Sequence, residues 1–169
     1  MLEAGILPHD YRFELIDGEL VPMSPKSAPH TMVQSAVMRA WPSVDAATVM
    51  ILTEPTVWIG EHMFLEPDLY VCAPVSASQK IEIGGAKLVV EVAYTSVSAD
   101  LGRKMHAYAE AGTPEYWVID IAARVTHVHR EPMETGFNAI AQVGWSDRLV
   151  PTRVPELAIR LDDLGLNLG

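Results

Sequence analysis

The sequence predicts an α/β (α+β) fold: a central strand covered on both faces, a helical crossover to a neighbouring strand, and a β-hairpin near the N-terminal end. Three observations carry this. The run Leu88-Val89-Val90-Glu91-Val92-Ala93-Tyr94 is apolar on both alternating faces except for Glu91, and a strand apolar on both faces is covered on both sides. A stretch with helical spacing, Val97 to Tyr108, joins that run to Glu115-Tyr116-Trp117-Val118-Ile119-Asp120. One helix between two strands suits a β-α-β crossover beside the central strand. Asp17-Gly18, set between Tyr11–Ile16 and Glu19–Met23, is a two-residue hairpin signal, because both central positions of a type I′ turn need positive φ.

Taken in order, the hairpin comes first, and Glu14 and Glu19 on its two arms are expected as solvated edge charges. Ser24 to Pro29 reads as a loop, with Ser27 or Ala28 as the cap of a helix from about His30 to Trp41 that Pro42 ends. His30, in the first turn, reads as a surface or hydrogen-bonded residue. Thr48–Leu52 and Thr56–Ile59 are short β-branched runs before a turn at Gly60. Glu66–Cys72 is the next strand, with Pro67 at its start, where proline is tolerated. Ala73–Ala86 reads mostly as loop, with room for a short strand at Ile81-Glu82-Ile83.

After the central strand, Thr95, Ser96 and Ser98 are N-cap candidates, and Asp100 follows in the first turn. Val97, Leu101, Met105 and Tyr108 make an apolar stripe that Gly112 and Pro114 terminate. Arg124–Arg130 and Phe137–Val143 read as strands joined by a turn at Pro132–Gly136. His127 and His129 share one strand face but have no third ligand in view, and are expected as exposed strand histidines. Val150–Leu166 holds short apolar patches. No linker or repeat divides the chain, so residues 1–169 are expected to form one domain, and 49% hydrophobic residues suffice for a core.

Composition narrows the function. The net charge of -10 argues against non-specific coating of nucleic acid, which needs clustered Lys and Arg. It leaves room for a nuclease, whose metal site requires carboxylates. Cys72 is the single cysteine, which excludes an internal disulfide and a cysteine-built zinc site. No apolar run approaches the roughly 20 residues of a membrane span. Met1-Leu2-Glu3-Ala4-Gly5 lacks the basic and apolar segments of a signal peptide, so a cytoplasmic location is expected.

The chemistry concentrates on Asp68, Glu91 and Lys104. Glu91 in a buried strand must be neutralised by a cation, a lysine or a proton, since an unpaired buried carboxylate costs several kcal/mol or more. Lys104 lies about 60° from the centre of the helical stripe, at about 100° per residue, with Asp100 one turn earlier. Two acids and an amine suit phosphodiester hydrolysis. A hard divalent cation is held by one or two carboxylates and waters. It polarises the phosphoryl oxygen and acidifies a water, while a lysine positions that water. Asp68, Glu91 and the Val92 carbonyl are the expected ligands for Mg²⁺, or Mn²⁺, and Lys104 orients the water. Glu91 paired with Lys104 purely for structure is the competing reading.

The ordered set Pro67-Asp68, Glu91-Val92, Asp100, Lys104, Tyr108 and Glu115-Tyr116-Trp117 resembles the Uma-type family of restriction endonucleases, grouped with the PD-(D/E)XK nucleases. The opening Glu14-Leu15-Ile16-Asp17-Gly18-Glu19-Leu20, Met23-Ser24-Pro25 and His30 resembles the same family, so the likeness covers roughly residues 11–130. The resemblance implies a restriction-endonuclease-like mixed central sheet flanked by helices, with a metal site where two strands separate. It implies a Mg²⁺-dependent endonuclease with nucleic acid, DNA first, as substrate. Asp68 and Glu91 match the acidic motif positions, and Glu19, His30, Asp100 and Tyr108 are candidate supporting residues. Ala93 stands where the superfamily places its lysine, and Lys104 from the next helix is the replacement. A homodimer is expected, since cutting two strands calls for two sites about a twofold axis. The alternatives are a catalytically silent nuclease-fold module and a hydrolase of small phosphorylated compounds.

Overall fold

Eleven strands among the described residues divide into two sheets. The computed structural model describes residues 12–168; Tyr11, at the start of the expected hairpin, and the Met1–Gly5 stretch lie outside the described residues. The strands are β1 (Phe13–Ile16), β2 (Glu19–Pro22), β3 (Met50–Thr53), β4 (Val57–Gly60), β5 (Met63–Leu65), β6 (Leu69–Cys72), β7 (Ile81–Glu82), β8 (Ala86–Ala93), β9 (Glu115–Asp120), β10 (Val125–Met133) and β11 (Gly136–Gly144). The larger sheet runs β11-β10-β9-β8-β6-β3 and the smaller β2-β1-β5-β4-β7. The smaller sheet collects the N-terminal hairpin and the short strands that the sequence left unplaced. Its β5 was not expected.

The larger sheet is mixed, and its parallel pair is the one that the crossover predicts. β8 pairs in parallel with β9 across the helical crossover and antiparallel with β6. Leu88, Val90 and Val92 face a core shared with Val33, Val37, Trp117 and the C-terminal residues Leu149, Leu157 and Leu161. Val89 and Ala93 face the other core, with Tyr108, Tyr116 and residues of the smaller sheet such as Ile16 and Leu65. Burying each such aliphatic side chain stabilises the fold by about 1.5–3 kcal/mol. Tyr94 falls beyond β8 and is 45% exposed. The tail without readable chemistry packs as core.

The β1–β2 hairpin has the expected two-residue turn. Ile16 opposes Glu19, and Asp17 and Gly18 have φ of 51° and 78°, the positive values of a type I′ turn. Helix α1 spans Ala28–Ala40, with Ser27 as its cap: the Ser27 hydroxyl accepts from the His30 N–H.

The crossover is not one continuous helix. A short α2 (Val97–Ala99) leads into a π turn over Asp100–Lys104, and α3 (Met105–Glu110) follows. Gly102, at φ -103° and ψ -108°, breaks the helical path. An inserted π turn re-aims the side chains around it. Asp100 is buried, and the expected stripe residues Val97, Leu101 and Met105 are only half-buried. His129 also departs from expectation. It is buried against Tyr116 and Phe137, because β10 is covered on that face by the second core.

Candidate active site

β6 stops pairing with β8 at Leu69, which opposes Val90. Beyond that point the Val92 N–H has no strand partner on the β6 side. The Asp68 side chain replaces it: Oδ2 accepts the Val92 N–H at 2.7 Å. Asp68 is held from behind as well, its own carbonyl accepting from the Glu54 N–H at 3.2 Å and the Gln34 amide at 3.0 Å. Its Oδ2 also meets His30 Nε2 at 2.9 Å, and its Oδ1 accepts from Lys26 Nζ at 2.5 Å. Burial pushes the Asp68 carboxyl up, but His30 and Lys26 outweigh it and hold the group below the usual carboxylate range.

Glu91 lies one residue past the last β6 partner, on the face toward α3 and the smaller sheet. Lys104 Nζ donates to its Oε1 at 3.2 Å and the Tyr108 hydroxyl approaches the same oxygen at 3.4 Å. Burial drives the Glu91 carboxyl upward. Lys104 pulls it back, and the charges of Asp68, Asp100 and Glu14 raise it again, leaving it well above the usual range. Lys104 also contacts Glu14 Oε1 at 2.9 Å and Asp100 Oδ1 at 3.7 Å. Burial lowers its ammonium's pKa, yet the three carboxylates overcome this and keep it firmly charged. Asp100 is raised by burial against the pull of Lys104 and the Ser96 hydroxyl, which donates to Oδ2 at 2.6 Å.

Asp68, Glu91, Val92, His30, Asp100 and Lys104 all line one cleft of about 200 Å³ between the two sheets. Tyr108 reaches Glu91 from beneath. Glu19 is not among these residues: it is 72% exposed at its side chain and pairs with Arg103 at 2.9 Å. Glu14 corrects the expectation of a solvated edge charge. It is buried, accepts the Glu66 N–H at 3.0 Å and ties the smaller sheet to Lys104. Its signal was present in Phe13-Glu14-Leu15-Ile16, a lone acid in an apolar strand, the same pattern as Glu91. Lys26, Gln34 and Glu54 carried no comparable signal, since only folding brings their loop, helix and turn to Asp68.

Among the described residues, no group of three or more His, Cys, Asp or Glu side chains forms a ready-made metal cage. The donor set nevertheless fits a hard divalent cation. It offers carboxylate oxygens without thiolates, and Mg²⁺ needs only one or two carboxylates beside waters. A strand residue presents N–H and C=O to the same edge, so the Val92 carbonyl leaves β8 on the side where its N–H meets Asp68.

The larger sheet opens where β6 ends, and there Asp68, just before β6, and Glu91, on β8, line the same cleft. The chain belongs to the Uma2 family, described as "Putative restriction endonuclease", which it matches over residues 2–162. Among solved structures it is similar to a putative nuclease belonging to DUF820 from Anabaena variabilis ATCC 29413. The TM-score is 0.73 at 16% identity, covering 96% of this chain and 94% of that chain. At that identity the likeness speaks for the fold alone. None of the curated proteins matches the chain.

Proposed function

We propose that the protein is a Mg²⁺-dependent endonuclease that hydrolyses phosphodiester bonds of nucleic acid, DNA first, as a cytoplasmic homodimer. The observation that carries this reading is the convergence of Asp68, Glu91 and Lys104, distant along the chain, on one solvent-open cleft. Asp68, Glu91 and the Val92 carbonyl would hold Mg²⁺, with Mn²⁺ as a substitute. A bound divalent cation supplies polarisation of the phosphoryl oxygen and acidifies a water. Lys104 orients the attacking water and offsets charge on the phosphorane-like transition state. Glu14 and Asp100 keep Lys104 charged and aimed, and His30 and Gln34 keep Asp68 in place. Attack by the water on phosphorus forms one P–O bond and breaks the bond to the leaving oxygen.

The test is nicking of supercoiled plasmid in Mg²⁺ by the wild type, Asp68→Ala and Glu91→Ala. Either substitution is expected to lower the rate by roughly 10²-fold or more, the scale of removing one preorganised electrostatic group. Equal nicking by all three proteins would sink the reading.

One observation favours a second reading, a silent nuclease-fold module: both Asp68 oxygens already meet protein donors. Calorimetry separates the two. An Mg²⁺ or Mn²⁺ isotherm that disappears in Asp68→Ala supports the enzyme, and its absence in the wild type supports the module.

A further inference from the structure

Lys26 reaches the cleft from the loop between β2 and α1, and its ammonium bridges two acids. It lies 2.5 Å from Asp68 Oδ1 and 2.8 Å from Glu54 Oε1. Asp68 Oδ2 is engaged by His30 on α1 and by the Val92 N–H on β8. Among the described residues Oδ2 has two partners and Oδ1 has one, so a metal ion reaches Oδ1 by displacing a single side chain, Lys26. An ammonium and a divalent cation on one oxygen repel each other, the more so the closer they lie, so a metal ion at Oδ1 weakens the Lys26 contact. Of the three donors on Asp68, Lys26 alone is borne by irregular chain and a flexible four-carbon stem.

The rest of the cleft says where the displaced ammonium is useful. Glu14, Glu66, Glu91 and Asp100 line it and repel a polyanion. Lys104 is committed to three carboxylates, and Arg12 to Glu54 and Glu66. Lys26 is thus the cleft cation that metal binding would release.

We propose that Lys26 is an exchangeable internal cation: it holds Asp68 in the metal-free protein, yields Oδ1 to a divalent ion, and then binds a phosphate of nucleic acid at the cleft mouth. This rests on the metal-dependent reading above. It makes Lys26 both a brake on metal binding and a substrate contact.

Two binding measurements test it without turnover. Mn²⁺ calorimetry compares the wild type, Lys26→Met and Arg12→Gln, each checked for folding by circular dichroism. Lys26→Met should bind Mn²⁺ roughly tenfold tighter, the scale of one charge-assisted contact removed from competition. Arg12→Gln loses a nearby charge that does not touch Asp68, and should bind as the wild type does. Fluorescence anisotropy of a labelled DNA duplex, with Ca²⁺ in place of Mg²⁺, should show Lys26→Met binding roughly tenfold more weakly. A Mn²⁺ isotherm unchanged in Lys26→Met, equal tightening in Arg12→Gln, or unchanged DNA affinity overturns this proposal alone. Absence of any Asp68-dependent isotherm in both the wild type and Lys26→Met overturns it together with the metal-dependent reading.

Discussion

Lys104 reaches from the crossover to Glu14 on the smaller sheet, its Nζ 2.9 Å from Oε1, while also touching Glu91 on the larger one. The ammonium is the electrostatic joint between the two sheets. It is largely buried, and so are its partners Glu14, Glu91 and Asp100.

Removing that joint leaves three buried carboxylates without their cation. Lys104→Met should lose about 3–5 kcal/mol, the usual cost of breaking a buried ion pair from one side. Urea unfolding checks this through a lower midpoint at an unchanged slope. A midpoint equal to that of the wild type would mean that the acids are neutralised in some other way.

Glu91 sets a trade between stability and chemistry. Its carboxyl is raised in the fold, so its contribution is fully present below the unfolded value near 4.5 and is lost as pH rises through the raised one. Glu91→Gln removes that loss. Its stability relative to the wild type should rise as pH rises from 4 to 8, and it should be inactive. Thermal unfolding across this range is the measurement. Added Mg²⁺ should raise the wild-type midpoint at pH 8 and leave Glu91→Gln nearly unmoved.

His129 contributes in the opposite direction. Burial lowers its pKa below 6.5, and the neighbouring His127 charge lowers it further, against hydrogen bonding to the Tyr116 and His127 backbone. A depressed value means that its contribution is present above 6.5 and lost as pH falls through the folded value. His129→Phe keeps the packing against Tyr116 and Phe137 and should flatten the fall in thermal midpoint between pH 6.5 and 5. An unchanged slope would acquit this residue.

Glu115 locks the C-terminal segment to β9. It is 1% exposed and accepts from Trp117 Nε1 at 2.7 Å, Arg130 Nη2 at 2.8 Å and the Thr152 N–H at 2.7 Å. Glu115→Ala orphans Trp117 Nε1 and the Thr152 N–H and leaves Arg130 Nη2 only the Val150 carbonyl at 3.0 Å, and should cost about 3–5 kcal/mol. Limited proteolysis should then cut near Thr152 sooner than in the wild type.

Much of the larger sheet was legible because its signals are local. An apolar strand with one acid, a helical stripe and a following strand identify β8, the crossover and β9 from residue order alone. In the smaller sheet the hairpin and the runs of β4 and β7 were legible, but β5, three residues long, shows no period, and nothing local says that these strands share a sheet. The kink at Gly102 was also invisible: a glycine in a helical pattern does not announce a π turn, yet this turn brings Asp100 and Lys104 inward.

The chain order by itself determined which residues carry charge into an apolar setting: Asp68 before a strand, Glu91 within one, Lys104 one helix later. Tertiary structure decided who neutralises whom. Glu14, Lys26 and His30 arrive at the cleft from elements that periodicity cannot relate to it, because electrostatic partners are chosen by distance in space. Burial then makes each choice strong, by removing the water that would otherwise screen it.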